Sequence, residues 1–258
     1  METHTALAVS LAQIAKVIDH SLLHPALTDK EILAGLEIAK RNKVAAACVK
    51  PYSISAARDI LDGSGVLICA VVGFPHGCST TAIKVLEAED AVKAGAHEID
   101  VVVNVGKVLG GDWEYVANEI RAVNDTVIKH GAILKVIFEN DFLQDEQITR
   151  LCKICTALPV AFIKTSTGFG FVRQPDGSYA CKGVTVPRLR LMKANIGPSV
   201  QIKAAGGIRT LEEVMGAISL GITRIGTSAT AAIIEEAIHR GINTPPGFAL
   251  VSPLDPHS

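Results

Sequence analysis

This chain of 258 residues has few aromatic side chains, no long apolar run and almost no net charge. Its longest apolar run, residues 66–74, is far shorter than the roughly 18 residues that a membrane span requires. Aromatic residues make up 4% of the chain, and the formal net charge is -1 without a basic cluster. We therefore expect a small-molecule partner, no nucleic acid and no membrane.

Signals for disulfides and for export are also lacking. The six cysteines are scattered through strand-like and helix-like segments, which is typical of reduced thiols rather than of a disulfide framework. No Lys or Arg precedes Lys16, and Glu2 is acidic, so the N-terminus predicts an amphipathic helix rather than a signal peptide. We expect a cytoplasmic protein.

Short β-branched runs alternate with segments of helical period along the whole chain. Two helix starts carry a Thr cap followed three residues later by Glu, in TDKE (28–31) and TLEE (210–213). Eight strand–helix units predict an α/β fold, a single (β/α)8 TIM barrel over about residues 16–240, with an extra N-terminal helix and a C-terminal tail at 241–258. An open, doubly wound sheet is the alternative. The predicted strands are 16–20, 44–49, 66–72, 98–103, 133–138, 160–165, 200–205 and 223–226.

Five charged residues fall in the middle of these strands, where a barrel would point them at its axis. They are Lys164, Lys203, Lys135, Asp100 and Asp19. Burying even a paired charge costs several kcal/mol, so structure alone seldom calls for such a group. Two interpretations remain: a structural ion-pair network, or catalysis by an amine.

Amine catalysis would need one lysine to lose its proton. A free lysine has a pKa of about 10.4, whereas attack on a carbonyl requires the neutral amine. Lys203 on the adjacent predicted strand would disfavour a second ammonium at Lys164, and Asp100 could exchange protons with Lys203. This arrangement favours a Schiff-base enzyme.

Two glycine-rich segments, AAGGIRT (204–210) and IGTSAT (225–230), follow the seventh and eighth predicted strands. These loops form the usual phosphate site of a (β/α)8 barrel. Alternatively, the glycines make tight turns and the hydroxyls cap helices. The predicted phosphate contacts are Gly206, Gly207, Gly226, Thr227 and Ser228.

The longest predicted connection, residues 168–183, begins just after Lys164 and contains the turn signal PDG. It predicts a hairpin that serves either as a lid, with Arg173 or Lys182 near a ligand, or as a solvated surface loop.

These segments resemble the deoxyribose-phosphate aldolase family of class I aldolases, from VIDHSLLHP to RIGTSAT. FIKTSTG is similar to the family's Schiff-base motif, KAAGGIRT to its second-lysine motif and EIDVVVN to its acidic strand. The resemblance implies that Lys164 forms the imine, that Lys203 assists proton transfer and that Asp100 donates or accepts the proton. It also implies reversible cleavage of 2-deoxy-D-ribose 5-phosphate into D-glyceraldehyde 3-phosphate and acetaldehyde, with no metal and no organic cofactor.

The same resemblance extends the predicted substrate site. Asp19 and Lys135 match family positions that line the pocket, and Cys48 matches a strand cysteine of many members. Thr165 and Gly168, in the motif of Lys164, complete the predicted set.

Three features depart from the family pattern. Phe169 stands where many members have a phosphate-binding lysine. The residues from 243 onward contain no tyrosine to serve in the proton relay. The 168–183 connection is longer than in the shorter members.

Rival interpretations differ in class. A metal-dependent aldolase would need a ligand pattern that the eight histidines do not form, and CKIC (152–155) is interpreted as packing. A phosphosugar-binding sensor on the same fold would not need the lysine pair. Another class I aldolase would share every residue named above, and a homo-oligomer remains open.

Overall fold

A closed barrel of eight parallel strands forms the centre of the computed structural model, which describes residues 8–242 and 247–248. The eight strands follow one another around the barrel in chain order, and the ring closes because the last, Arg224–Thr227, pairs with the first, Ile18–Leu22. This closed ring confirms the predicted TIM barrel and excludes the alternative, an open, doubly wound sheet. In chain order the strands are β1 Ala8–Val9, β2 Ile18–Leu22, β3 Ala46–Val49, β4 Leu67–Val72, β5 Glu98–Val102, β6 Ile133–Ile137, β7 Phe162–Lys164, β8 Val172–Arg173, β9 Tyr179–Ala180, β10 Gln201–Ala205, β11 Arg224–Thr227 and β12 Gly247–Phe248.

Helices connect the barrel strands, and none of those described has the length and apolar character needed to cross a bilayer. The Thr28–Glu31 and Thr210–Glu213 capping boxes are both present, as predicted. The helices are α1 Leu11–Lys16, α2 Asp29–Arg41, α3 Ile54–Leu61, α4 Thr81–Ala94, α5 Val105–Leu109, α6 Trp113–Lys129, α7 Asp145–Ala157, α8 Val186–Asn195, α9 Leu211–Ser219 and α10 Thr230–His239, with 3₁₀ turns at Pro51–Ser53 and Asn140–Phe142.

The N-terminal helix is shorter than the sequence predicts. Ser10 and Gln13 form a capping box that starts α1, and Val17 ends it, so the first barrel strand begins at Ile18 rather than at residue 16. The short strand β1, which precedes this helix in the chain, pairs with β12. Residues 1–7 and most of the predicted tail, 243–246 and 249–258, lie outside the described residues.

The core divides into two apolar regions. The larger cluster fills the layer between strands and helices, and includes Ile18, Ile99 and Leu134. The smaller cluster lies inside the barrel and is made of Leu23, Ala46, Cys48, Cys69 and Val71. Because these inner side chains are mostly small, much of the barrel interior is left to the charged residues.

A buried ion pair joins two helices outside the barrel. Lys84 on α4 lies 2.9 Å from Glu119 on α6, and the two side chains are 0% and 2% exposed. Lys84 also donates to Val102 O (2.8 Å), and Glu119 accepts from Asn104 N (3.1 Å). The pair thus ties both helices to the carboxyl end of β5.

Removing one member of this pair should strongly destabilise the fold. Glu119→Ala leaves the Lys84 ammonium buried without its partner, and we expect the free energy of unfolding to fall by about 3–5 kcal/mol. The control Glu114→Ala removes an exposed carboxylate from the same helix and should cost under about 1 kcal/mol. Urea unfolding followed by circular dichroism measures both; equal effects would contradict the role of the buried pair.

Candidate active site

Three lysines converge on one carboxylate inside the barrel. Lys164 and Lys203 each place Nζ 2.8 Å from Oδ2 of Asp100, and Lys135 Nζ lies 2.9 Å from its Oδ1. The strand register produces this convergence, because Asp100 pairs with Lys135 on β6 and Lys164 pairs with Lys203 on β10. The predicted inward orientation is confirmed, and Asp19 joins the group through Lys203.

Sequence reasoning missed two members of this cluster. Glu98 Oε2 lies 2.6 Å from Lys135 Nζ, and Arg224 bridges Glu98 (2.8 Å) and Asp19 (2.7 Å). A signal was available, because Glu98 precedes Asp100 by two residues and therefore shares its side of the strand.

Charges in the cluster do not balance when every group is ionised. Four basic side chains face three acidic ones among these ion-paired groups, which leaves one positive charge in excess. A single neutral amine would restore the balance. The members are Lys135, Lys164, Lys203 and Arg224, with Asp19, Glu98 and Asp100.

Several of these groups are held firmly ionised. Burial would raise the pKa of Asp100, but Lys135, Lys164 and Lys203 outweigh it and hold that pKa well below its usual value. Burial would lower the pKa of Lys203, yet the carboxylates of Asp100 and Asp19 raise it well above its usual value. Lys203 thus remains an ammonium beside Lys164.

Lys164 differs from the other members by its position. It lies on the wall of a cavity of about 850 Å³ at the carboxyl ends of the strands. Asp19, Lys135 and Cys48 lie beneath this wall, fully buried. Lys164 is therefore the amine of the cluster that a small molecule can reach.

Cys48 and Cys69 pack beside the shared carboxylate. Their sulfurs are 3.6 Å apart, and the Cys69 thiol donates to Asp100 Oδ1 (3.1 Å). These sulfurs lie close enough to acidic oxygens to form candidate ligand sets, Cys48–Cys69–Asp100 and Asp19–Cys69–Glu98. However, ammonium groups already contact the same carboxylates, so a metal cation would meet strong repulsion there.

Both predicted phosphate loops lie on the wall of the same cavity. Gly206 and Gly207 have φ angles of 100° and 89°, and a Cβ on Gly206 would lie 2.9 Å from Gly183 Cα, so only glycine fits there. Arg209 was not singled out from the sequence, although it belongs to the same GGIRT segment and lines the cavity. The lining from these loops consists of Gly206, Gly207, Ile208, Arg209, Gly226, Thr227 and Ser228.

Two predicted contact residues use their hydroxyls within the protein. Thr165 is fully buried, donates to Ala205 O (2.7 Å) and accepts from Ala205 N (2.9 Å), so it fastens β7 to β10 instead of lining the cavity. Thr227 donates to Ile208 O (2.7 Å) and thereby joins the two glycine-rich loops. Its hydroxyl proton is not free for a ligand, whereas Ser228 is exposed.

The predicted hairpin is present, with β8 antiparallel to β9. Arg173 and Lys182 do not line the cavity of Lys164; both line a neighbouring cavity of about 380 Å³, which corrects the expectation that they lie near a ligand there. What the hairpin brings to the main cavity is apolar, namely Phe169 and Phe171, next to Gly168.

An aromatic pair covers one side of the site. The Phe169 ring packs edge-on against Phe74 at 5.7 Å, and the centre of the Phe74 ring lies 6.0 Å from Lys164 Nζ. The cavity thus has a polar end at the glycine-rich loops and an apolar side at Phe169.

His20 is a further cavity residue that the sequence did not reveal. Its Nδ1 lies 2.8 Å from Thr230 Oγ1, and its side chain is buried between β2 and the start of α10. Burial lowers the pKa of His20 to about 4. The imidazole is therefore neutral near pH 7.

Comparison with known proteins shows which proteins this chain is similar to. Residues 13–233 match the model of the DeoC/LacD family of aldolases. The deoxyribose-phosphate aldolase of Rhodopirellula baltica is 45% identical over 224 residues, covering 87% of this chain and 89% of the relative. The solved structure of QR15, an aldolase, matches with a TM-score of 0.80 at 35% identity, over 89% of this chain and 97% of that one. A deoxyribose phosphate aldolase from Aeropyrum pernix, described as tetrameric, matches with a TM-score of 0.78 at 27% identity, over 89% of this chain and 92% of that one.

The neutral His20 should make stability depend on pH in a defined window. The pKa of His20 is about 4 in the folded protein against 6.5 for the free group, so the unfolded chain takes up the proton first as pH falls. His20 therefore contributes stability that is present above pH 6.5 and lost towards pH 4, amounting to about 3 kcal/mol.

Denaturant titrations at several pH values should show this loss in the wild type and a smaller one in His20→Asn. The exposed His239, changed in the same way to Asn, should leave the wild-type slope intact. A His20→Asn slope equal to that of the wild type would contradict the buried neutral imidazole.

Proposed function

The chain belongs to the DeoC/LacD family of aldolases, and we propose that it reversibly cleaves 2-deoxy-D-ribose 5-phosphate into D-glyceraldehyde 3-phosphate and acetaldehyde. The observation that carries this proposal is the position of Lys164. It lies on the wall of a cavity bounded by two glycine-rich loops, above a cluster that keeps Lys203 charged. The names of the relatives support the same substrate.

The first step requires a neutral Lys164. Lys164 is the member of the cluster that reaches the cavity, where a substrate can meet its amine. Its amine attacks the C1 carbonyl of the open-chain sugar; the hydroxyl of the resulting carbinolamine is then protonated and leaves as water, which gives an iminium ion. The iminium keeps the positive charge near Asp100, which already binds the Lys164 ammonium.

Asp100 is suited to relay protons rather than to store them. Its Oδ2 contacts the amines of both Lys164 and Lys203, so one oxygen connects the two. Because its pKa is held well below the usual value, Asp100 rests as a carboxylate between proton transfers. We assign the relay to Asp100, Lys203 and water. The sequence has no tyrosine from residue 243 onward, and most of that segment lies outside the described residues.

Carbon–carbon cleavage then follows from the iminium. A base removes the proton of the C3 hydroxyl, the C2–C3 bond breaks, and its electron pair moves into the iminium to form an enamine. D-Glyceraldehyde 3-phosphate leaves. Protonation of the enamine at C2 and hydrolysis release acetaldehyde and return the Lys164 amine. No step calls for a metal or an organic cofactor.

The phosphate would lie at the polar end of the cavity. The N-terminus of α10 and the backbone of Gly206 and Gly207 offer amide groups, and Arg209 adds a guanidinium to the same wall. Arg209 thus offers the positive charge that Phe169 does not supply.

We also propose that the chain forms a homo-oligomer and that it is cytoplasmic. Ile83 and Leu86, one turn apart on α4, are 52% and 60% exposed, which supports a homo-oligomer. Six free cysteines support a reducing, cytoplasmic environment.

Acetaldehyde and borohydride together should label Lys164. Reduction of the imine leaves a two-carbon adduct that peptide mass spectrometry places on one residue. Lys164→Ala should abolish both the adduct and cleavage of the sugar phosphate. The comparison Lys203→Ala keeps Lys164 but removes the neighbouring ammonium, and we expect labelling slowed by about 10²-fold or more. An adduct on another lysine, or none in folded wild type, would refute the Schiff-base assignment.

Arg209→Ala should weaken binding of the phosphorylated substrate specifically. Loss of a charge-assisted contact to the dianion should raise KM for 2-deoxy-D-ribose 5-phosphate by about tenfold. For 2-deoxy-D-ribose, which lacks the phosphate, kcat/KM should hardly change. Arg240→Ala, which removes an exposed arginine on the other end of α10, serves as the control. Equal losses for both sugars would show that Arg209 does not bind the phosphate.

A further inference from the structure

Glu139 combines two features that are unusual together. It is a buried carboxylate, 2% exposed, and its backbone adopts the left-handed conformation with φ 59° and ψ 63°. Non-glycine residues hold such a conformation only where their surroundings fix it, and such positions cluster at functional sites. Burial raises the pKa of Glu139, which means that the surroundings disfavour the ionised form of its side chain.

The contacts of Glu139 lead to the segment that follows Lys164. Thr167 donates its backbone N–H to Oε1 of Glu139 (3.1 Å), and its hydroxyl donates to Oε2. The same hydroxyl accepts from the backbone N–H of Phe169 (2.9 Å). A Cβ on Gly170 would lie 2.9 Å from the Glu139 carboxyl carbon, so the chain wraps closely around this side chain.

This hydrogen-bonded chain ends at the apolar wall of the cavity. Phe169 packs edge-on against Phe74, which in turn faces Lys164 Nζ at 6.0 Å. Leu23 and Val71 belong to the inner apolar cluster against which both rings pack. The position of Phe169 therefore fixes how much apolar space is left beside the Lys164 amine.

We propose that Glu139 is a positioning residue that, through Thr167, holds Phe169 against Phe74 and so restricts the aldehyde bound as an imine at Lys164 to the smallest donors. This inference rests on the proposed function, because it concerns the donor that Lys164 activates. Glu139 touches neither substrate nor reacting atoms. Its effect is carried by the backbone of residues 167–170.

Donor size is the property that such a wall controls. Acetaldehyde places one methyl group on the imine carbon, and propanal adds one methylene. One methylene in a fitted apolar pocket changes kcat/KM by about 10–200-fold. A displaced Phe169 should therefore raise the use of propanal relative to acetaldehyde.

The experiment measures addition of each donor to D-glyceraldehyde 3-phosphate and takes the ratio of kcat/KM for propanal to that for acetaldehyde. Glu139→Gln replaces one carboxylate oxygen with an NH2 group, so only one of the two Thr167 donors keeps its acceptor, and the ratio should rise about tenfold. Phe169→Ala should raise it at least as much. Thr167→Val removes the hydroxyl that links Glu139 to the backbone N–H of Phe169, and it should also raise the ratio.

Asp141 supplies the matched control at the other end of the hairpin. It accepts from the backbone N–H groups of Lys182 (3.0 Å) and Gly183 (3.1 Å), away from the cavity of Lys164. Asp141→Asn makes the same chemical change and should leave the ratio as in the wild type. A merely structural role of Glu139 would lower both rates together and would not move the ratio.

A borohydride adduct of acetaldehyde on Lys164, combined with an unchanged ratio in Glu139→Gln and Thr167→Val, would overturn the role of Glu139 alone. A wild type that forms no adduct would overturn the proposed function and this inference with it. In the double variant Glu139→Gln with Phe169→Ala, the ratio should match that of Phe169→Ala. A multiplicative effect would show that Glu139 acts by another route.

Discussion

The carboxylate of Asp100 is the group on which the rest of the site depends. It lies fully buried on the barrel axis and binds three ammonium groups within 2.9 Å. Isolated, each of these charges would be very costly to bury; together they stabilise one another only if the strands hold them in register. A closed barrel provides that register, because β5, β6, β7 and β10 each contribute one member. Fold and chemistry are therefore set by the same strand pairings.

The charged groups of the cluster lie at different distances from the cavity. Glu98 and Asp19 lie away from the cavity and form direct ion pairs with Lys135 and Lys203, and Arg224 bridges these two carboxylates. The pKa shifts of Lys203 and Asp100 have opposite signs, so both stay ionised. Lys164 lies where the cluster meets the cavity, whereas Lys135 and Lys203 are fully buried beneath it. Position therefore distinguishes Lys164 from the other two lysines of the cluster.

Much of this architecture could be predicted from the sequence, because alternation along a strand is a strict rule. Short β-branched runs located the eight barrel strands, and alternation placed five charged residues inside the barrel. The same rule would have found Glu98, and would have turned Thr165 outward as the neighbour of Lys164. The sequence offered no such rule for Arg173 and Lys182. Their direction depends on how the hairpin is fastened, through contacts between residues more than 25 positions apart.

Phe169 shows how a departure from a family pattern acquires meaning only in three dimensions. As a sequence feature it is the absence of a phosphate-binding lysine. In the folded chain it packs against Phe74 and lines the same cavity as the glycine-rich loops and Arg209. A cavity divided in this way matches a substrate that is anionic at one end and carries a small apolar fragment at the other. Since the turn that presents Phe169 begins three residues after Lys164, the wall and the amine are positioned by one continuous segment, and their separation is fixed by the backbone.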